Sequence, residues 1–381
     1  MQSPTHLAPD GHDQSQASTR GPSRLTDVCA ACRTHPSHVV SERALQVYRR
    51  VGLVAVDHED VLPDYIRVCH SLGFYFAPGA TAEGANALGV LMVWFFVVDD
   101  QIDDGHIADP ERAERFLDSI RDVLWRTKQA VENGERASVD VESIGVAPIS
   151  IAHKLTAELP AALLSLCRDR PRLYQRFLDH FLDWLDAVIP FNFHFRASRS
   201  TSKADACRTL NIGAQLTMIG MEIVNDLHLS PRLWHHLYAE RLRQAAFRHV
   251  ILQNDLVSYH QDSRVPERQR NNFLTILMKR HELSPDRDMA QGIALAVREL
   301  VELEAEIEGY IDLMRTACRT LSRAEVEAYA KLVYELLGGS WAWSLEAGRY
   351  HAHDHAIPEL RAPLGPEHST LHEDWLHAPG W

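Results

Sequence analysis

What the sequence lacks narrows its class first. No apolar run reaches the about 20 residues that a membrane span needs. The longest, Ala87 to Val98, stops at the acidic group Asp99, Asp100, Asp103 and Asp104. Met1 to about Arg24 holds no apolar core and is rich in Ser, His and Pro, so no secretory signal is expected and a disordered tail is. These two absences predict a cytoplasmic protein without stable membrane insertion. Basic residues are in deficit: 39 Lys and Arg against 52 Asp and Glu leave a net charge of -13, and no basic stripe is present to neutralise a nucleic acid. An anionic small molecule stays within reach of such a protein if metal ions bridge the two.

Cysteine is sparse, with six residues scattered at Cys29, Cys32, Cys69, Cys167, Cys207 and Cys318, and free thiols are expected. Cys29, Cys32, His35 and His38 form a C-x2-C-x2-H-x2-H cluster, tighter than the usual zinc-finger spacing and without flanking apolar pattern; its role is left open. Strand signals are also missing. Val, Ile and Thr are not gathered into alternating runs, and no Asn-Gly or Asp-Gly lies between two strand-like segments.

Helical periodicity fills the space those absences leave. Ile293, Ala296, Leu300, Leu303, Ile307 and Ile311 mark one face of a helix, and Arg323 to Tyr350 reads the same way. Breakers divide the chain. Thr81 is a candidate cap, Pro110 and Pro171 open helices, Pro190 ends or kinks one, and Ser230-Pro231 separates two more. Asn133 to Pro148 reads as a loop, and the charged stretch Arg264 to Asn272, with Pro266, as a mobile one. Hydrophobic residues at 45% support a sizeable core. The expectation is a tail at 1–39, one all-α domain at 40–352 with about ten helices around a central cavity, and a poorly ordered tail at 353–381 carrying Pro358, Pro363, Pro366 and Pro379.

Two polar clusters interrupt this apolar pattern. Asp99 and Asp103 are one turn apart at the end of an apolar helix, where like charges repel and the helix dipole disfavours anions. A compensating cation would explain their company, and carboxylate oxygens suit Mg²⁺. Downstream, Asn254, Ser258 and Asp262 recur at i, i+4 and i+8, stacking an amide, a hydroxyl and a carboxylate on one face. Asn and Ser are mediocre helix formers, which makes their place beside the apolar Val250-Ile251-Leu252 informative.

Asp99-Asp100-Gln101-Ile102-Asp103 followed by Asn254-Asp255-x-x-Ser258-x-x-x-Asp262 resembles the aspartate-rich and NDxxSxxxE-type motifs of the class I terpene synthases, particularly the microbial terpene cyclases. Arg208, 46 residues before Asn254, stands where that family has its diphosphate-sensing arginine, and Gly213 near its effector helix break. Trp343, Arg349 and Tyr350 look like its closing Arg-Tyr pair with the upstream Trp. The resemblance covers roughly residues 60–350. Asp262 departs from the usual Glu, and Gln261 stands where Lys is frequent.

The resemblance implies three Mg²⁺ ions held by Asp99, Asp103, Asn254, Ser258 and Asp262, with Asp100 beside the substrate. Arg208, Arg349 and Tyr350 would then clamp the departing diphosphate of a linear isoprenyl substrate, with farnesyl diphosphate favoured over the geranyl and geranylgeranyl homologues. The implied reaction is cyclisation of the resulting carbocation to a sesquiterpene hydrocarbon or alcohol. Phe95 and Phe96, on the helical face of Asp99, are the leading cavity aromatics, with Trp343, Phe191 and Phe193 behind them. Asp262→Glu is expected to preserve or improve activity. An isoprenyl diphosphate synthase would usually carry a second DDxxD, which is missing, and a non-enzymatic helical scaffold would not need two registered clusters. Homodimerisation is left open.

Overall fold

The computed structural model describes residues 39–54, 62–103, 110–133, 151–164, 166–167, 170–189, 208–264 and 272–346. Among the described residues there are twelve helices and no strand. They are α1 Glu42–Val51, α2 Asp64–Phe76, α3 Ala82–Asp103, α4 Pro110–Glu132, α5 Ile151–Leu164 and α6 Pro171–Ile189. The second half adds α7 Ala214–Val224, α8 Pro231–Trp234, α9 Leu237–Asp262, α10 Phe273–Arg280, α11 Pro285–Thr316 and α12 Arg323–Glu346. The two beyond the expected ten are the short α8 and α10, which carry too few turns to show a periodicity.

The helix starts follow local chemistry. Thr81 Oγ1 accepts the Gly84 N–H at 3.1 Å, opening α3, and Ser230 Oγ accepts that of Leu233 at 3.3 Å, opening α8. Pro residues stand at the first turns of α4, α6, α8 and α11, where the missing N–H would have no helical partner anyway. Of the segments read as tails and as a loop, residues 1–38, 134–148 and 353–381 lie outside the described residues, and so does the Cys29–His38 cluster. Cys69 and Cys167 are buried free thiols, and Cys318 is half-exposed.

α3 is the central element. Val90, Leu91, Met92, Val93, Trp94, Val97 and Val98 are all buried, so it packs on several sides at once. Contrary to the expectation from Ala87–Val98 alone, Ala82–Asp99 passes as a membrane span by length and composition, because Ala82, Gly84 and Ala85 extend the apolar stretch. That helix is the core of this bundle, 72% buried within it. α2 lies against α3 at backbone distance: a Cβ on Gly73 would sit 2.3 Å from the Gly89 backbone nitrogen. α5 and α7 also pack on α3, α12 on α2 and α9, and α11 covers the outer face of α9. Ala296, Leu300, Leu303, Ile307 and Ile311 form the buried face of α11 as expected, while Ile293, expected with them, is half-buried.

A cavity of about 150 Å³ opens inside this arrangement. Its walls come from α2, α3, α6, α7, α9 and α12 and from the helical turn at 208–211. Trp94 fastens the wall from behind: its Nε1–H donates to Thr156 Oγ1 at 2.7 Å, and its ring meets Phe181 edge-on at 4.5 Å.

Candidate functional site

The cavity is lined by both polar and aromatic side chains. Asp99, near the end of α3, lines it together with Arg208 and with Asn254 on α9. One member of each cluster, Asp99 and Asn254, thus lines the same cavity, while Ser258 and Asp262 are not among its lining residues. The side chains of Asp100 and Asp103, and all of Asp104, Phe191, Phe193, Arg349 and Tyr350, lie outside the described residues.

Arg208 is tied to α9 at two points. Its Nη2 donates to Asn254 Oδ1 at 3.1 Å and to Asp255 Oδ1 at 2.7 Å. The other oxygen of Asp255 accepts the Phe273 N–H at 2.8 Å. Burial pushes the Asp255 carboxyl up from its ordinary range, Arg208 opposes that, and Asp262 adds to it. Burial disfavours the Arg208 cation, but Asp255, Asp262 and Asp99 more than reverse the effect, so its pKa lies above the usual value. Asp255, a plain motif letter in the sequence, is therefore the ion-pair partner of the arginine. The signal that could have found it is the shared 46- to 47-residue spacing of Arg208 to both Asn254 and Asp255.

Ser258 and Asp262 meet directly: Ser258 Oγ donates to Asp262 Oδ2 at 2.7 Å. The same Oδ2 accepts from Asn272 Nδ2 at 2.8 Å. Asn272 falls in the stretch expected to be a mobile loop, and instead it caps α10, its Oδ1 accepting the Leu274 N–H at 2.9 Å. The reason is local: Asn at an N-cap followed by the apolar Phe273-Leu274 is a helix start. Among the described residues no three His, Cys, Asp or Glu side chains converge on a metal position. The α9 face offers amide, hydroxyl and carboxylate oxygens in their place.

The apolar interior is built around Phe95 and Phe96. Phe96 stacks on Trp343 at 5.6 Å, and Trp343 is held by donating its Nε1–H to Val68 O at 3.1 Å and Ser71 Oγ at 3.2 Å. Phe95 meets Trp184 edge-on at 5.1 Å. Trp184, which sequence reasoning missed, donates its Nε1–H to the Asn211 carbonyl at 2.8 Å. That bond fixes the turn carrying Arg208. Gly213 ends this turn with φ 71°, and a Cβ there would lie 2.9 Å from the Phe95 ring. It is glycine for two reasons at once, backbone sign and space. Asn211 also lines the cavity, and its buried Oδ1 has no hydrogen-bond partner.

A cavity lined by Asp99, the half-buried Arg208, Asn254 and aromatic rings in an all-α bundle fits a class I terpene synthase. Residues 90–295 match the model of terpene synthase family 2, C-terminal metal binding, which is more than half of the chain. The chain belongs to that family. Terpene synthase 4 of Dictyostelium purpureum is 25% identical over 290 residues, 73% of this chain and 74% of the relative. Terpene synthase 6 of Dictyostelium discoideum is 24% identical over 318 residues, covering 81% and 82%. Among solved structures, wild-type cucumene synthase superposes with a TM-score of 0.60 at 21% identity, over 83% of this chain and 95% of that one. Germacradien-4-ol synthase from Streptomyces citricolor gives 0.59 at 18% identity, over 84% and 93%. The protein is a terpene cyclase-type enzyme of the all-α class I fold, with divalent-metal binding and an isoprenyl diphosphate substrate as family properties.

Proposed function

We propose that the enzyme ionises a linear isoprenyl diphosphate, farnesyl diphosphate by preference, with Mg²⁺, and cyclises the cation to a sesquiterpene hydrocarbon or alcohol. The observation that carries this reading is Arg208, lining the cavity with Asp99 and bridged to the Asn254-Asp255 pair. The fold shared with the linalool/nerolidol synthase from Streptomyces clavuligerus, solved in complex with 2-fluorogeranyl diphosphate, supports the isoprenyl diphosphate part of this reading, with a TM-score of 0.62 at 16% identity.

The donor set fits a hard cation. Asn254, Ser258 and Asp262 share one face of α9, and the Ser258 proton is committed to Asp262, which leaves its lone pairs for a metal. Asp99 and Asp103 would hold the cation from the α3 side, as the resemblance implies. Bound Mg²⁺ supplies the Lewis acidity that neutralises the diphosphate and stabilises it as it leaves. Arg208 adds a fixed positive charge where negative charge develops, and its planar fork matches phosphate oxygens. Arg349 and Tyr350 complete this clamp in our reading. No side-chain base is needed to start the reaction. Phe95, Phe96 and Trp343 line the cavity, where aromatic rings stabilise a cation and exclude water.

Incubation with Mg²⁺ and geranyl, farnesyl or geranylgeranyl diphosphate, followed by mass spectrometry of the extract, tests the reading. A C15 cyclic product from the farnesyl substrate supports it. Cyclic products of another length only would reassign the substrate, and acyclic chain elongation would overturn the cyclase reading.

A further inference from the structure

We infer that Asn272 is a positioning residue that fixes the Asp262 carboxylate for metal binding. The inference rests on the assignment of Asp262 to the metal site made above. Asn272 is 3% exposed and spends every polar atom of its carboxamide. Oδ1 accepts the Leu274 N–H at 2.9 Å. Nδ2 has two protons, and its two acceptors are the Asp255 carbonyl at 2.6 Å and Asp262 Oδ2 at 2.8 Å. One side chain thus joins the start of α10, the backbone of the downstream motif and its last carboxylate.

Capping accounts for only half of these contacts. An N-cap needs an acceptor, and Ser, Thr and Asp supply one as well as Asn does. The donor half of the amide serves α9. Its consequence falls on Asp262, whose Oδ2 takes two hydrogen bonds, from Ser258 and from Asn272. That pins the rotation of a carboxylate which otherwise has two torsions to order when a cation arrives. Oδ1 accepts no hydrogen bond from the described residues and is the oxygen left for a ligand. A preset carboxylate matters more here because its arm is one methylene shorter than the Glu usual in the family.

The test measures cation binding apart from turnover. Mn²⁺ is titrated into the full-length protein in the presence of inorganic diphosphate, for wild type, Asp262→Ala, Asn272→Ser and the double variant, with melting temperatures of the metal-free proteins alongside. Ser keeps the cap but cannot reach Asp262. Asn272→Ser is expected to weaken Mn²⁺ binding by about tenfold, the low end of losses for groups that orient metal ligands. Its melting temperature should fall by no more than about 4 °C, since one modest hydrogen-bonding group is lost. On the Asp262→Ala background the same substitution should leave affinity unchanged, because the carboxylate it positions is gone. Wild-type affinity in Asn272→Ser beside a weakened Asp262→Ala overturns the inference and leaves the metal reading standing. Wild-type affinity in Asp262→Ala overturns the ligand assignment itself. If Asn272→Ser does not fold, Asn272→Thr, a second good cap with no donor in reach, decides by the same comparison.

Discussion

Arg208 and Asp255 form a 2.7 Å ion pair, with the Asp255 side chain 4% exposed and the Arg208 side chain 21% exposed. The arginine therefore has two duties, one toward substrate and one toward the α9 carboxylate. Arg208→Ala leaves a buried charge without its partner, which costs on the order of 3 kcal/mol, the low end for buried pairs because Arg208 keeps some contact with water. The variant should melt well below wild type and be inactive. Arg208→Ala with Asp255→Asn should regain most of the melting temperature and none of the activity. Recovery of both would make the arginine a structural partner only.

Gly213→Ala meets two obstacles. An L-residue at φ 71° is strained by roughly 1–2 kcal/mol, and its Cβ would press on the Phe95 ring at 2.9 Å. A clear loss of melting temperature is expected. Adding Phe95→Leu should return the steric part and leave the backbone part. If Gly213→Ala melts like wild type, the turn conformation is not required.

Asp262→Glu should lower activity and raise the Mg²⁺ concentration needed for half-activation. This reverses the expectation drawn from the family pattern. The reason is that Ser258 and Asn272 already meet the short carboxylate at 2.7 and 2.8 Å. A longer arm overreaches both. Unchanged or improved Mg²⁺ dependence would show that the site keeps the usual Glu spacing.

Glu335 on α12 is 5% exposed, paired with Lys331 at 3.5 Å, and burial pushes its carboxyl up to about 7. Between the ordinary Glu value and about 7 the folded state holds a proton that the unfolded state has released. Stability therefore falls as pH rises through that window and levels off above it, by about 3 kcal/mol at most. Glu335→Gln cannot ionise. Its melting temperature relative to wild type should climb between about pH 5 and about pH 8. A difference that stays flat with pH would contradict the buried, protonated carboxyl.

The fold was legible because its core follows a 3.6-residue period. The α11 face from Ala296 to Ile311 and the helix starts at Pro110, Pro171 and Ser230 needed nothing but local rules. Asp99 and Asn254 stood out because their residue types contradict their apolar or helical surroundings, whereas Arg208 came from the family resemblance alone. Trp184, Asn211 and Asn272 did not stand out. Trp184 looks like any core aromatic, and its use depends on a bond to the Asn211 carbonyl, 27 residues away. Asn272 carries the composition of a loop, and only the folded α9–α10 junction shows its amide shared between a helix cap and Asp262.

The central claim is metal-assisted ionisation between Asp99 and the α9 motif. Its most direct test is release of inorganic diphosphate from farnesyl diphosphate alone, with Mg²⁺ and no second substrate, in wild type and Asp99→Ala. The account predicts steady release by wild type, its disappearance with a chelator and return with Mg²⁺, and a loss of orders of magnitude in Asp99→Ala. Release that persists in chelator, or that requires isopentenyl diphosphate, would contradict it.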